Sequence, residues 1–362
     1  MRTLPGSFGN LLKKDFWKGK SVLVTGHTGF KGSWLCRLLL ELDAKISGLS
    51  LRKPTSKPLL FDILNLGENL IDFRGDITDF NKCLTIINEL SPDIVIHMAA
   101  QSLVKLSYKE PIQTINTNII GTANILESLR HISSIKTILI VTSDKCYNNF
   151  ETQYPYKEDD PLGGNDPYSS SKACAEHITN AYYKSYFKSK NLGVATARAG
   201  NVIGGGDWSK DRLLPDIVKA WENDNPVVIR SPNSIRPWQH VLEPIFGYLK
   251  LIECLWDNPE NFSGGWNFGP NEDNMKPVID AVKYSQKLWN GNPKVKILKE
   301  NNFQEAKVLK LNNQKVKSKL KIKPKMNFNE SLKKTIYWYA SFYKGNNVKQ
   351  ITSEQILNYF DL

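Results

Sequence analysis

The chain of 362 residues is 41% hydrophobic and 23% charged, with a formal net charge of +12 at pH 7. It is long enough for one large α/β domain and a smaller appended one, no stretch approaches the length of a membrane span, and Met1–Lys20 holds no apolar run of the kind that opens an export signal. Part of the charge excess lies in Lys294–Lys325, where lysines are interleaved with acids and asparagines and no nucleic-acid-binding module is recognisable, so neither nucleic acid nor a membrane is an expected partner.

From Lys20 the chain alternates strand and helix. Ser21–Val24 is a short apolar strand, Gly32–Leu42 has helical periodicity, and Ile46–Leu49 and Leu70–Arg74 read as the second and third strands. Phe80–Leu90 is helical, and Asp93–His97 reads as a strand buried on both faces. A long helix over Ile112–Leu129 leads to a strand over Thr137–Thr142, and Leu192–Arg198 is a further strand of the same sheet. Strands alternating with helices of this length imply parallel pairing through right-handed crossovers. The expected fold class is therefore α/β, a doubly wound parallel sheet of Rossmann type with ligands at the carboxyl ends of its strands.

After about Gly200 the segments shorten, and Gly204–Trp208, Ser231–Asn233 and Gly264–Trp266 read as loops. The expected division is a dinucleotide-binding domain over residues 16–200, to which some later segments return, then a smaller mixed α/β substrate lobe over 201–345 and a helical tail over 346–362. Cys36, Cys83, Cys146, Cys174 and Cys254 are scattered without metal-ligand spacing, so free thiols in a reducing, cytoplasmic setting and no metal site are expected.

Gly26, Gly29 and Gly32 follow the first strand directly and open a helix. The first permits a tight turn, the second lets backbone approach a pyrophosphate, and the third lets the helix pack on the sheet with its N–H groups toward anionic oxygens. His27 and Lys31 are unusual in such a loop, each facing solvent or a phosphate. At the end of the second strand, where an acid would hold the adenosine ribose, stands Leu49-Ser50-Leu51-Arg52. Arg52 could accept the extra phosphate of NADP or be solvated, which leaves NAD against NADP open on these residues. Asp76 is placed to touch adenine, or caps the helix that starts at Phe80.

Tyr168 and Lys172 are four apart and share one helix face. An ammonium beside a phenol lowers its pKa, so that a phenolate can take a proton while hydride leaves a carbinol carbon. Thr142 ends a strand, where its hydroxyl could bond the same substrate oxygen. Asp144 and Lys145 lie beside this set, and hydride transfer alone does not require them.

Gly26-His27-Thr28-Gly29-Phe30-Lys31-Gly32-Ser33-Trp34, His97–Gln101, Thr142–Tyr147, Tyr168 with Lys172, Arg198–Trp208 and Arg236–Val241 together resemble the extended short-chain dehydrogenase/reductases, specifically the nucleotide-sugar 4,6-dehydratases, over roughly Lys18–Tyr339. The resemblance implies NAD held by Gly26, His27, Gly29, Phe30, Lys31, Gly32, Asp76, Ile77, Ala99, Ala100, Gln101, Tyr168 and Lys172. It implies oxidation of a sugar at C4, loss of water across C5 and C6, and return of the hydride to C6. Asp144 would be the acid at O6, and Lys145 stands where most of the family has a glutamate base for C5, the form of the CDP-glucose branch. Lys145 would otherwise be a charge that only binds substrate.

Gln101 is expected near the sugar or the nicotinamide, and Asn201 and Arg236 resemble residues that hold the substrate's diphosphate. Arg212 and Arg230 are weaker candidates for that role, being equally readable as surface arginines. His240 could touch the nucleotide or be structural, and Trp208 could stack on a base or pack the lobe. A homodimer, or a higher homo-oligomer, is implied through the Ile112–Leu129 and Tyr168–Phe187 helices. The competing activities are a 4-epimerase, a dehydratase for another nucleotide sugar, and a non-catalytic dinucleotide sensor; Asp144-Lys145 argues against the first and Tyr168/Lys172 against the last.

Overall fold

The computed structural model describes residues 12–53, 57–298 and 308–362. Residues 1–11, part of the stretch read for an export signal, and residues 299–307, part of the lysine-rich stretch, lie outside them. Seven strands form one parallel sheet: β1 (Ser21–Thr25), β2 (Lys45–Ser50), β3 (Ile71–Arg74), β4 (Ile94–His97), β5 (Thr137–Val141), β6 (Gly193–Ala199) and β7 (Gly264–Phe268). Their spatial order is β7-β6-β5-β4-β1-β2-β3, every neighbouring pair parallel. The order reverses between β1 and β4, and a sheet that reverses there leaves a crevice beyond the carboxyl ends of both strands.

The near-continuous apolar sequence of β4 and β5 follows from burial on both faces. Val22, Val24, Ile94, Ile96, Leu139 and Ala195 join one core, and the alternate residues Leu23, Val95, Ile138, Ile140 and Val194 join another. Helix α1 (Phe30–Glu41) covers the first face with Trp34, Leu35, Leu38 and Leu39. Helices α2 (Phe80–Leu90) and α3 (Gly121–Leu129) cover the second with Ile86, Ile87, Ile125, Leu126 and Leu129. The long helix read over Ile112–Leu129 is present from Pro111, with one π turn at Asn116–Ile120 before α3. Helix α4 (Pro167–Tyr182) begins where Asp166 accepts from Ser169 N at 3.0 Å and Pro167 pre-sets the first turn, and it runs on through a π turn to Phe187.

One expectation is corrected here. Gly264-Gly265-Trp266 is not a loop but the start of β7, with Gly265 opposite Thr196 and Trp266 opposite Ala197. A Cβ on Gly265 would stand 2.6 Å from Arg198 Nη2, so the glycine marks a close approach within a strand.

The chain after Gly200 adds helices α5 (Leu213–Glu222), α6 (Leu242–Asp257), α7 (Phe328–Tyr343) and α8 (Val348–Phe360), with short pairings between them. Ile235–Pro237 runs antiparallel to Met275–Pro277, and Val202–Ile203 and Val227–Ile229 pair in parallel with Gln239–His240 and Val295–Ile297. Helix α6 packs against β5 and β6, and α8 lies on α1, where Arg37 Nε donates to Ser353 Oγ at 3.0 Å. Trp34 Nε1 donates 2.9 Å to the carbonyl of Gly205, which fastens α1 to the loop after β6.

Behind that loop the indole of Trp338 fills the space a side chain at 205 would need, its Cγ lying 2.0 Å from an added Cβ. Gly205→Ala is expected to destabilise the fold by about 1–3 kcal/mol through overpacking, seen as a lower urea midpoint at unchanged slope.

Candidate active site

A cavity of about 870 Å³ follows the carboxyl ends of β1 to β5 and is closed over by the loops around Gly200, Arg212, Arg230 and Arg236. Its floor begins at the glycine turn. Gly26 has φ +73°, a left-handed conformation, and a Cβ there would lie 2.7 Å from Ala99 N. Gly29 N closes the turn on Gly26 O at 3.0 Å, and a Cβ on Gly32 would meet that same carbonyl at 2.3 Å. The turn tolerates no side chain at either end, and residues 28–32 line the cavity at the start of α1. This is the cradle a pyrophosphate requires, so the residues present fit a dinucleotide.

The residues read for the adenosine end divide between the cavity wall and the protein interior. His27 is fully buried and does not line the cavity. Its ring sits over Gly48, hydrogen-bonded through Nδ1 to Ser50 Oγ and through Nε2 to Asp72 Oδ1, both at 3.0 Å. Burial lowers its pKa and Asp72 opposes that, so it is a packing histidine joining β2 to β3 rather than a phosphate contact. Arg52 is exposed. Asp76 and Ile77 do line the cavity. Asp76 accepts from Thr78 N at 2.9 Å and is not the helix cap; Asp79 is, accepting from Lys82 N at 3.0 Å. Ala99 and Ala100 line the wall, but the amide of Gln101 turns away, donating to Thr114 Oγ1 at 2.9 Å and accepting from Leu103 N at 2.6 Å.

Thr142, Asp144, Lys145, Tyr168 and Lys172 all line the same cavity. Tyr168 and Lys172 project from one face of α4, and Asp144 and Lys145 form a short helical turn directly after β5. Ser143, which sequence reasoning missed, joins the two groups: its hydroxyl bonds the Tyr168 phenol and lies 3.0 Å from Asp144 Oδ1. Its only sequence signal was its place between Thr142 and Asp144.

Burial pushes the Tyr168 phenol up to about 12, with Ser143 and Arg212 pulling it back and Asp144 adding to the rise. The lowering expected from Lys172 is not what dominates, because the Lys172 ammonium donates to Val141 O at 3.3 Å and is itself pushed down to about 8 by burial, against the pull of Glu176. Burial likewise raises Asp144 above the usual carboxylate range, although Lys145 and Ser143 oppose it. At neutral pH the site holds a protonated phenol, a cationic Lys172 and a carboxyl biased toward its acid form.

Glu176 and Arg198 form the second tier. Glu176 lies one further turn along the Tyr168–Lys172 face, and its Oε2 pairs with Arg198 Nη2 at 2.7 Å, both residues at most 5% exposed. The same carboxylate accepts from the hydroxyls of Thr142 and Thr196. Thr142 therefore spends its proton on Glu176, which leaves its oxygen as an acceptor.

Of the substrate-binding candidates, Asn201, Arg212, Arg230 and Arg236 line the cavity. Arg212 pairs with Asp207 at 2.9 Å and reaches Ser102 Oγ at 3.4 Å, while Arg230 lies 3.5 Å from Asp211, which also takes the Lys105 ammonium. His240 is not there: it is fully buried, edge-on to Trp34 at 5.7 Å, and burial holds it down to about 3. Trp208 packs edge-on to Tyr339 at 5.1 Å and stacks on no exposed face.

Replacing Glu176 by Gln leaves Arg198 as a buried charge without its anion. Glu176→Gln is expected to destabilise the protein by about 3–5 kcal/mol in urea unfolding, while Glu176→Asp retains part of that stability.

The family model described as GDP-mannose 4,6 dehydratase matches residues 23–335. The chain is 44% identical over 354 residues to CDP-glucose 4,6-dehydratase of Salmonella typhimurium, covering 96% of this chain and 98% of that one. It is 25% identical to dTDP-glucose 4,6-dehydratase of Haemophilus influenzae, covering 88% of this chain and 97% of that one. Among solved structures, dTDP-glucose 4,6-dehydratase of Bacillus anthracis in complex with NAD superposes with a TM-score of 0.74 at 24% identity, covering 91% of this chain and 100% of that one. A glycine turn, a Tyr/Lys pair and an added acid in one cavity, on a sheet of this order, agree with these matches: the chain belongs to the GDP-mannose 4,6-dehydratase family of extended short-chain dehydrogenase/reductases.

Proposed function

We propose that this protein is a CDP-glucose 4,6-dehydratase that uses NAD and releases CDP-4-dehydro-6-deoxy-glucose and water, a product suited to the making of deoxysugars for surface polysaccharides. The observation that carries the reading is Asp144-Lys145 beside Tyr168 and Lys172 in one cavity, together with the full-length similarity to the Salmonella enzyme. NAD bound on the glycine turn supplies a hydride acceptor for C4 that later becomes the donor to C6, so the sugar is first oxidised and then reduced with no net change.

Tyr168 takes the O4 proton as the C4–H bond breaks. A phenol held near 12 does this only beside cations, and Lys172 on the same helix face is one. The resulting ketone acidifies C5–H, and the Lys145 nitrogen removes that proton. Asp144, kept toward its acid form by burial, protonates O6 as the C5–C6 double bond forms and water leaves. Lys145 returns a proton to C5 when hydride reaches C6. Asn201, Arg212, Arg230 and Arg236 hold the diphosphate, with the planar guanidinium groups suited to binding two oxygens each.

The protein acts in the cytoplasm as a homodimer. Its cysteines are free, and among the described residues no helix is long and apolar enough to cross a membrane. Tyr108, Ile112, Ile115, Ile120 and Tyr186 stand exposed on and beside the helices expected to pair, an apolar surface suited to a second copy.

Incubation with CDP-glucose and NAD is expected to produce the alkaline absorbance of a 4-keto-6-deoxy sugar, while UDP-, GDP- and dTDP-glucose remain unchanged; a C4-inverted sugar instead would mean an epimerase. Tyr168→Phe is expected to lower kcat by at least about a hundredfold. In deuterated water the wild-type product gains deuterium at C5. Lys145→Ala is expected to lose both product and label, whereas label retained with normal turnover would leave Lys145 a binding charge.

A further inference from the structure

Five carboxylates line the cavity, and four of them are already committed. Asp76 belongs to the adenosine end and Asp144 to the reacting groups. Asp207 holds Arg212, and Asp211 takes Arg230 and the Lys105 ammonium. The fifth is Asp216, in the first turn of α5. It is exposed, and among the described residues its side chain has no hydrogen-bond or ion-pair partner. The charged groups that act on it are Asp211, Lys219, Lys105 and Arg230, and none of the reacting groups is among them. The cavity wall beside it is apolar: Leu214 and Pro215 directly precede it, and Val228 lines the same space while 47% exposed.

A nucleotide sugar is a linear ligand of sugar, diphosphate, ribose and base, and the charged groups of the cavity follow the same order. Arg212 acts on Tyr168 and Arg236 on Asp144, so both guanidinium groups adjoin the place where the sugar reacts. Arg230 stands beside Asp211 and acts on Asp216 in turn. An ionised carboxylate offers only acceptors. Cytosine carries a donor amine at C4, whereas uracil and thymine carry a carbonyl there. Resting on the reading that the substrate is CDP-glucose, we propose that the base lies between Pro215 and Val228 and that Asp216 selects it, its carboxylate accepting from the exocyclic amine of cytosine. The O4 of uracil or thymine at that place leaves two acceptors facing each other.

The test is the dissociation constant of CDP and of UDP, by calorimetry at neutral pH, for wild type, Asp216→Ala and Asp216→Asn. Wild type is expected to prefer CDP, and Asp216→Ala to lose about tenfold or more of that preference, the effect of removing a hydrogen bond to an ionised acceptor. Asp216→Asn, whose amide both donates and accepts, is expected to bring the two constants together by tightening UDP. Either variant also removes a negative charge from beside the diphosphate, which strengthens both nucleotides alike. The ratio is free of that effect, because CDP and UDP differ only in the base. An unchanged ratio in two variants whose melting temperatures match wild type would overturn the proposal and leave the CDP-glucose reading standing. Wild-type protein that binds UDP or dTDP as tightly as CDP would sink both.

Discussion

Glu176 and Arg198 form the interaction on which the site rests. Their ion pair crosses from α4 to β6, and each end makes further bonds: Glu176 takes the hydroxyls of Thr142 and Thr196, and Arg198 Nη1 reaches Tyr147 OH and Glu158 O, each at 2.8 Å. An isolated buried charge is strongly unfavourable, and a pair is tolerable only when geometry and further hydrogen bonds offset the lost hydration. That condition leaves little freedom. The face of α4 that carries Tyr168 and Lys172 is set against the ends of β5 and β6, and Gly265 in the edge strand is the vacancy that admits the guanidinium.

Above this tier the cavity is rich in cations, with Lys31, Lys145, Lys172 and the three loop arginines Arg212, Arg230 and Arg236 converging on one space. A nucleotide sugar brings a diphosphate and a dinucleotide brings another, so the excess matches its ligands. Burial presses in the opposite direction, lowering Lys31 and Lys172 and raising Asp144 and Tyr168 toward their neutral forms. A site that alternates proton donation with proton removal at adjacent atoms needs groups whose charge states are this easily exchanged.

The sheet was legible because parallel strands buried on both faces read as apolar runs spaced by helices, and β1 to β6 lie within a residue or two of the spans their sequences suggest. The seventh strand was not, because Gly264-Gly265 carries the signature of a loop while its actual reason is the Arg198 side chain lying against it. Tyr168, Lys172, Asp144 and Lys145 were recognisable from spacing and order. Ser143 and Glu176 were not, since a serine before an acid and a glutamate on a helix are ordinary until a third element packs beside them.

By itself the sequence determined what depends on chain-local geometry: the glycine turn after a strand, the shared face of Tyr168 and Lys172, and the period of the sheet. These follow from backbone sterics and helical pitch, which neighbours in sequence impose. Only the tertiary structure decided where His27, Lys31, Gln101 and His240 point, and that Thr142 is an acceptor. Each of those side chains chooses between water, a ligand and a distant partner. The choice is made by desolvation and by hydrogen bonds to Asp72, Tyr248, Thr114 and Glu176, residues that folding alone brings within reach.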